Sequence, residues 1–173
     1  MEKSALIVGA GAGLSSSLAF QCRNSGMHVA LAARDIRKLN SISEKTGASL
    51  YKCDASKIES VNLLFEELDA KSGTPDLVVY NPSSRLRGAI ETLNAEKTKE
   101  ALEVTCFGAF LVAQQAAKRM LARGSGSIFF TGASAGVKGF ANSSVFAMGK
   151  FGLRGLAQAL ARELHPKNIH IGH

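Results

Sequence analysis

The chain has 173 residues, 46% of them hydrophobic, which is the length of one domain with enough apolar content to bury a sizeable core. Its formal charge is +7, but cations such as Arg34, Arg37, Lys38, Arg85, Arg87 and Arg119 are scattered, without a nucleic-acid motif or interleaved aromatics. That pattern speaks against nucleic acid as a partner and leaves an anionic small molecule or a basic exterior. Cys22, Cys53 and Cys106 lie far apart with no CxxC or Cys/His spacing, so neither a metal centre nor a disulfide framework is expected, and a reducing cytoplasm fits. The opening MEKSALIVGAGAG carries too short an apolar run for a signal sequence or a membrane span.

The first predicted element is a strand at residues 5–9 (ALIVG), followed by the turn VGAGAGLSSSLAF, which opens a helix. Gly9, Gly11 and Gly13 allow a tight turn whose backbone approaches a diphosphate, while free N–H groups at the helix start face its charge. The spacing is not GxGxxG, because the third glycine would fall at Leu14. It matches GxxxGxG, with Gly9 and Gly13 in place and Ser15 standing for the last glycine. Close helix packing is the plainer use of such a turn.

The second strand, residues 28–33 (HVALAA), places Ala33 where an acid usually meets a ribose hydroxyl, and Arg34 follows. A guanidinium pairs with a 2′-phosphate, so NADP(H) is preferred. Asp35 keeps NAD(H) open, or simply caps the helix IRKLNSISEK. A weaker strand at 48–54 ends at Asp54. Residues 56–71 read as a helix with a capping box, Ser56 and Glu59, and an apolar face of Ile58, Val61, Phe65 and Leu68.

Residues 76–81 (DLVVYN) form the next predicted strand, and 82–92 a long loop of the kind that belongs to a site. One continuous helix is expected from Asn94 to Gly124. A strand at 126–132, a helix stopped by Pro166 and a weak terminal strand in NIHIGH complete the chain. The strongest strands are apolar enough to be buried on both faces. Strand and helix alternating at these lengths require crossovers, hence a doubly wound parallel sheet in a single domain.

Together the motifs GAGAGLS, Arg34, CDAS, YNPSS, GSIFFTGASAG and FAMGKFGLRGLAQALARELHPKNIHI resemble, in order and spacing, the short-chain dehydrogenase/reductase family. The resemblance covers nearly the whole chain. It implies a Rossmann-type three-layer α/β/α fold, a nicotinamide dinucleotide, and hydride transfer between nicotinamide and a small carbonyl or alcohol of unread identity. Gly9, Gly11, Gly13 and Leu14 would then meet the cofactor, with Asp54 near the adenine, Asn81 on the adenosine side and Lys150 at the nicotinamide ribose. Each has a duller role open to it: Asp54 could cap a turn, Asn81 could satisfy a loop, and Lys150 could be a solvated lysine.

The same resemblance places Phe146, Ala133 and Thr105 at the family's catalytic tyrosine, serine and asparagine, so only Lys150 of the four is kept. Phenylalanine cannot exchange a proton, and losing a positioned acid–base group removes a factor of about 10² to 10⁴ in rate. Ser143, Ser134 and Thr131 are candidate substitutes, but an aliphatic hydroxyl lacks a phenol's titration range. Asn81-Pro82-Ser83 replaces the family's NAG. The family's chains run on through a completed sixth strand, a substrate-covering segment and a seventh strand, so this domain is expected to be shorter at its C-terminal end. Its sheet edge and long helices would take cover from a partner subunit, as a homo-oligomer. An NADP(H)-dependent oxidoreductase is the first reading. A catalytically silent NADP(H)-binding sensor or oligomeric scaffold is the alternative, and another nucleotide or a flavin on the same fold is the third.

Overall fold

The computed structural model describes residues 3–173. β1 (Ser4–Val8) carries apolar side chains at four successive positions, all of them buried, and so needs cover on both faces. Five further strands join it: β2 (His28–Ala33), β3 (Ser49–Lys52), β4 (Leu77–Tyr80), β5 (Gly126–Phe130) and β6 (Ile169–Gly172). All pairs are parallel, in the order β3-β2-β1-β4-β5-β6. The helices are α1 (Leu14–Asn24), α2 (Asn40–Thr46), α3 (Ile58–Lys71), α4 (Ala95–Leu102), α5 (Gly108–Arg123) and α6 (Ser144–Leu164).

Alternation along β1 divides the core. Leu6 and Val8 face α3, α5 and α6 together with Tyr80, Phe65, Val112 and Leu153. Ala5 and Ile7 face α1 and α2 with Leu31, Leu39 and Val79. The predicted doubly wound, three-layer α/β/α architecture is therefore present, and Gly26, Gly47 and Gly124 adopt positive φ where chain segments end.

Three local expectations change. The helix expected from Asn94 to Gly124 does start and stop there: Asn94 Oδ1 accepts from the Lys97 amide at 2.9 Å, and Gly124 takes a left-handed φ of 79°. Between α4 and α5, however, Glu103–Phe107 widens into a π-helical turn. The wider ring leaves the Val104 carbonyl to accept the buried Tyr80 hydroxyl. At the start of α5 a Cβ on Gly108 would stand 2.5 Å from both the Ala55 carbonyl and the Tyr80 hydroxyl, so only glycine lets this helix approach the sheet.

The Ser56/Glu59 capping box does not form, because Ser56 is already committed: its amide and hydroxyl donate to Asp54 Oδ1 at 3.0 and 2.7 Å. Lys57 becomes the N-cap without a side-chain bond. The buried face of α3 is Val61, Leu64, Phe65 and Leu68, while Ile58 is 48% exposed. Burial on both faces fails at β5: Ile128 is fully buried, but Phe129 is 37% exposed, its ring lying over Gly172 and beside His170, at 5.6 Å between ring centroids. The apolar cluster under α1 and α2 reaches across the sheet only as far as β4. The weak terminal strand predicted in NIHIGH, by contrast, is present as β6, in register with β5 from Ile169 to Gly172.

Candidate functional site

A crevice of about 500 Å³ opens where the strand order reverses, between the ends of β1 and β4. The first loop turns at Gly9 with φ +74°, and a Cβ there would lie 2.5 Å from the Pro82 ring of the second loop. The Gly9 and Ala10 amides both donate to the Ala32 carbonyl, at 2.9 and 3.0 Å, which hangs the turn on β2. Beyond them α1 begins at Gly13 as N-cap, with no side-chain cap and no acidic residue in its first turn. A Cβ on Gly11 or Gly13 would meet nothing within 4 Å. Uncapped helix amides, a positive dipole end and open space in front of them fit a diphosphate.

Ser15, in the third glycine's place, is buried and bridges the two loops. Its hydroxyl donates to the Gly9 carbonyl at 3.4 Å and accepts from Asn81 Nδ2 at 2.8 Å. Sequence reasoning treated Ser15 only as tolerated, and Asn81 and Ser15 lie 66 residues apart, so nothing local pointed to their bond. Leu14 is 52% exposed, and neither it nor Gly13 belongs to the crevice wall.

At the end of β2 the acid and the cation take opposite roles. Asp35 accepts from the Arg37 amide and, at 2.8 and 3.0 Å, from the Arg37 guanidinium; these bonds hold its carboxyl below the usual range. Arg34 lines the crevice and makes no hydrogen bond or ion pair with any described residue. Lys38, four residues on, lines it as well; that spacing after Arg34 was the signal sequence reasoning overlooked. Asp54 lines the same crevice from the end of the neighbouring strand, β3. Burial works to raise its pKa, but the two Ser56 hydrogen bonds and the charges of Arg34 and Lys57 outweigh it and the carboxyl is lowered.

The residues at the family's catalytic positions lie beyond, at the start of α6 and the end of β5. Ala133 is extended, with φ −160° and ψ 162°. Phe146 is 9% exposed and Lys150, one turn later, 2%. The Lys150 ammonium donates to the Thr131 carbonyl at 2.7 Å. Burial, followed by the charge of Arg85, pulls its pKa down from 10.5 to about 8. A solvated helix lysine is thus not what the fold makes of this residue. Thr105 sits buried in the π turn, where its Oγ1 accepts from the Ser84 amide at 2.9 Å and donates to the Ser84 carbonyl at 3.5 Å. Of the candidate hydroxyls, Ser143 is the N-cap residue of α6, Ser134 is exposed, and Thr131 turns its carbonyl to Lys150.

The family model described as short chain dehydrogenase matches residues 3–173. The chain is 28% identical to a 3-dehydrosphinganine reductase of Danio rerio, over 96% of this chain and 53% of that protein. It is 27% identical to a human 3-oxoacyl-[acyl-carrier-protein] reductase, over 99% of this chain and 73% of that one. It thus spans about half and about three quarters of these relatives. Among solved structures, a short-chain dehydrogenase from Rhodopseudomonas palustris superposes with a TM-score of 0.92 at 31% identity, covering 99% of this chain and 82% of its own. An actinorhodin polyketide ketoreductase solved with NADPH superposes at 0.94 and 25% identity, covering 98% and 68%.

The buried lysine makes a pH prediction. Its folded pKa lies below its unfolded value, so between about pH 8 and 10.5 the unfolded chain binds more protons and stability rises with pH. Below pH 8 the full penalty of burying the charge is present. Burial raises the Cys22, Cys53 and Cys106 thiols and works the other way over this range, so the lysine's gain, on the order of 3 kcal/mol at most, is read from urea unfolding at pH 7 and pH 10 as the difference between the natural chain and Lys150→Met. Lys150→Met should lose it, whereas an equal pH response in the variant would refute the assignment.

Proposed function

The chain belongs to the short-chain dehydrogenase family, and from that premise we propose that it is an NADP(H)-dependent oxidoreductase acting on a small carbonyl or alcohol. The observation that carries the cofactor preference is the division of labour after β2: Arg34 lines the crevice without an ion pair to any described residue, while Asp35 is locked to Arg37 and Asp54 accepts from Ser56. Arg34 and Lys38 receive the 2′-phosphate, the uncapped start of α1 receives the diphosphate, and Asp54 and Asn81 line the adenosine side. NAD(H), which has no 2′-phosphate, leaves Arg34 without a partner.

When bound, the nicotinamide supplies or accepts the hydride. Lys150, at the end of β5 beyond the crevice wall, orients the neighbouring ribose, and its pKa near 8 keeps a proton available near neutrality. Phe146 and Ala133 exclude water and carry no proton, so proton movement at the substrate oxygen is the impaired step. The alternative, a silent NADP(H)-binding sensor or scaffold, shares the cofactor site and differs only in turnover. Three thiols that form no disulfide, two of them buried, suit a cytoplasmic protein. No helix among the described residues is long and apolar enough to cross a membrane.

The homo-oligomer is proposed through α4, α5 and α6. Phe107, Phe110 and Met148 are 42, 42 and 55% exposed, and they line one apolar groove with Leu102, Cys106 and Leu156. An exposed apolar patch of this kind suits a second copy of the same helices.

Three measurements test these readings. Fluorescence titration should show NADPH binding more tightly than NADH, and Arg34→Ala should weaken NADPH by about tenfold or more while sparing NADH; equal binding of the two cofactors would sink the preference. Turnover of a carbonyl and alcohol panel should rise by about 10² or more in Phe146→Tyr/Ala133→Ser. High turnover in the natural sequence would rule out silence, and no gain in the double variant would rule out a proton-transfer defect. Sedimentation should show an oligomer that Phe110→Glu dissociates; a monomeric natural chain would refute the interface.

A further inference from the structure

The place of the family's tyrosine is not merely empty of a hydroxyl: Phe146 carries a cation. The Arg85 guanidinium carbon lies 4.4 Å from the Phe146 ring centroid, and the Lys150 ammonium lies 5.9 Å from the same centroid. Arg85 comes from the loop that leaves β4, and that loop is pinned on both sides of it. Ser84, the residue before, exchanges two backbone hydrogen bonds with the Thr105 side chain. Three residues after Arg85, the Gly88 amide donates to the Asn142 carbonyl at 3.2 Å, from a residue in left-handed φ just ahead of α6. Thr105, in the family's asparagine place, therefore acts as the loop's anchor.

The charges gathered here are of one sign. Neither Arg85 nor Lys150 makes an ion pair with any described residue. His173 and Arg154 approach the same end of the sheet, and burial first, then the Lys150 and Arg154 charges, disfavour protonation of His173. By contrast, Arg37, Arg119 and Arg123 all have aspartate partners, at 2.8, 2.7 and 3.5 Å. A guanidinium held against an aromatic ring keeps donors free for bidentate recognition of an anion. Two uncompensated cations sharing one ring repel each other until an anion lies between them.

We propose that the substrate carries a carboxylate, and that Arg85, held on the Phe146 ring beside Lys150, is the residue that receives it. This rests on the reading of the crevice as a nicotinamide site, and assigns the class of molecule that enters beside it. Phe146 then has a positive role: it is the platform that fixes the guanidinium, where a tyrosine would instead exchange a proton.

The test uses oxalate as probe, titrated by calorimetry into protein saturated with NADPH, so that the diphosphate cradle is blocked. Oxalate is expected to bind, about tenfold or more weakly in Arg85→Met. Arg87→Met, which removes an exposed cation two positions away, should leave binding within about twofold. Phe146→Leu keeps the arginine but removes its platform, and should give an intermediate loss. No oxalate binding to the natural sequence, an equal loss in Arg87→Met, or tighter binding of inorganic phosphate than of oxalate would each overturn the proposal. NADPH binding is measured first by nicotinamide fluorescence. Its absence would overturn the cofactor reading, and oxalate titration of the cofactor-free protein, natural against Arg85→Met, would then decide the present proposal separately.

Discussion

The site depends on one constraint, the pairing of β1 with β2 on one side and β4 on the other, all in parallel. Parallel neighbours on opposite sides send the loops after β1 and β4 in opposite directions and leave a crevice between them. At its base the two loops touch so closely that Gly9 has no room for a side chain against Pro82. The hydrogen bond from Asn81 to Ser15 closes that contact. Everything that could grip a dinucleotide is arranged around this junction: the bare start of α1, Arg34 from the end of β2 and Asp54 from the end of β3.

Charge is distributed to serve that crevice. The basic excess is not spread evenly in function, because several arginines are spent on structure. Arg119 joins α5 to α3 through Asp69, and Arg123 donates to the Thr74, Pro75 and Ser125 carbonyls and so holds the approach to β4. Exposed ion pairs of this kind contribute little each to stability, but they occupy Asp69 and Asp76. Among the cations with no ion pair to a described residue are Arg34 and Lys38 beside the cleft, and Arg85 and Lys150 around Phe146.

Under the proposed reading, Lys150 keeps a positioning role at a hydride-transfer site whose hydroxyl chemistry is changed. The lysine is buried at the cost of a depressed pKa, with a single carbonyl from Thr131 as its protein partner among the described residues. A buried ammonium on an otherwise apolar helix face is expensive to hold for structure alone, which is the physical reason to read it as functional. Phe146 and Thr105 are each engaged elsewhere, one under a guanidinium and the other on a loop backbone.

Local pattern was enough for the strands, the alternation of layers, the glycine turn and the bounds of the Asn94–Gly124 segment, whereas Asp54, Asn81 and Lys150 were singled out only by the family resemblance. The local readings follow from apolar periodicity and from residues whose backbone preferences act within a few positions. Periodicity could not show the π turn at Glu103–Phe107, because the carbonyl it leaves at Val104 is satisfied by a donor distant in the chain, the Tyr80 hydroxyl. Nor could it show that Asp54 would take Ser56 away from the helix cap, that Phe129 would lie at the limit of the core, or that Ser15 would meet Asn81. The sequence by itself determined which residues could carry chemistry and in what order; only the tertiary structure decided which of them remain unpaired, since pairing joins side chains from strands and loops far apart in the chain.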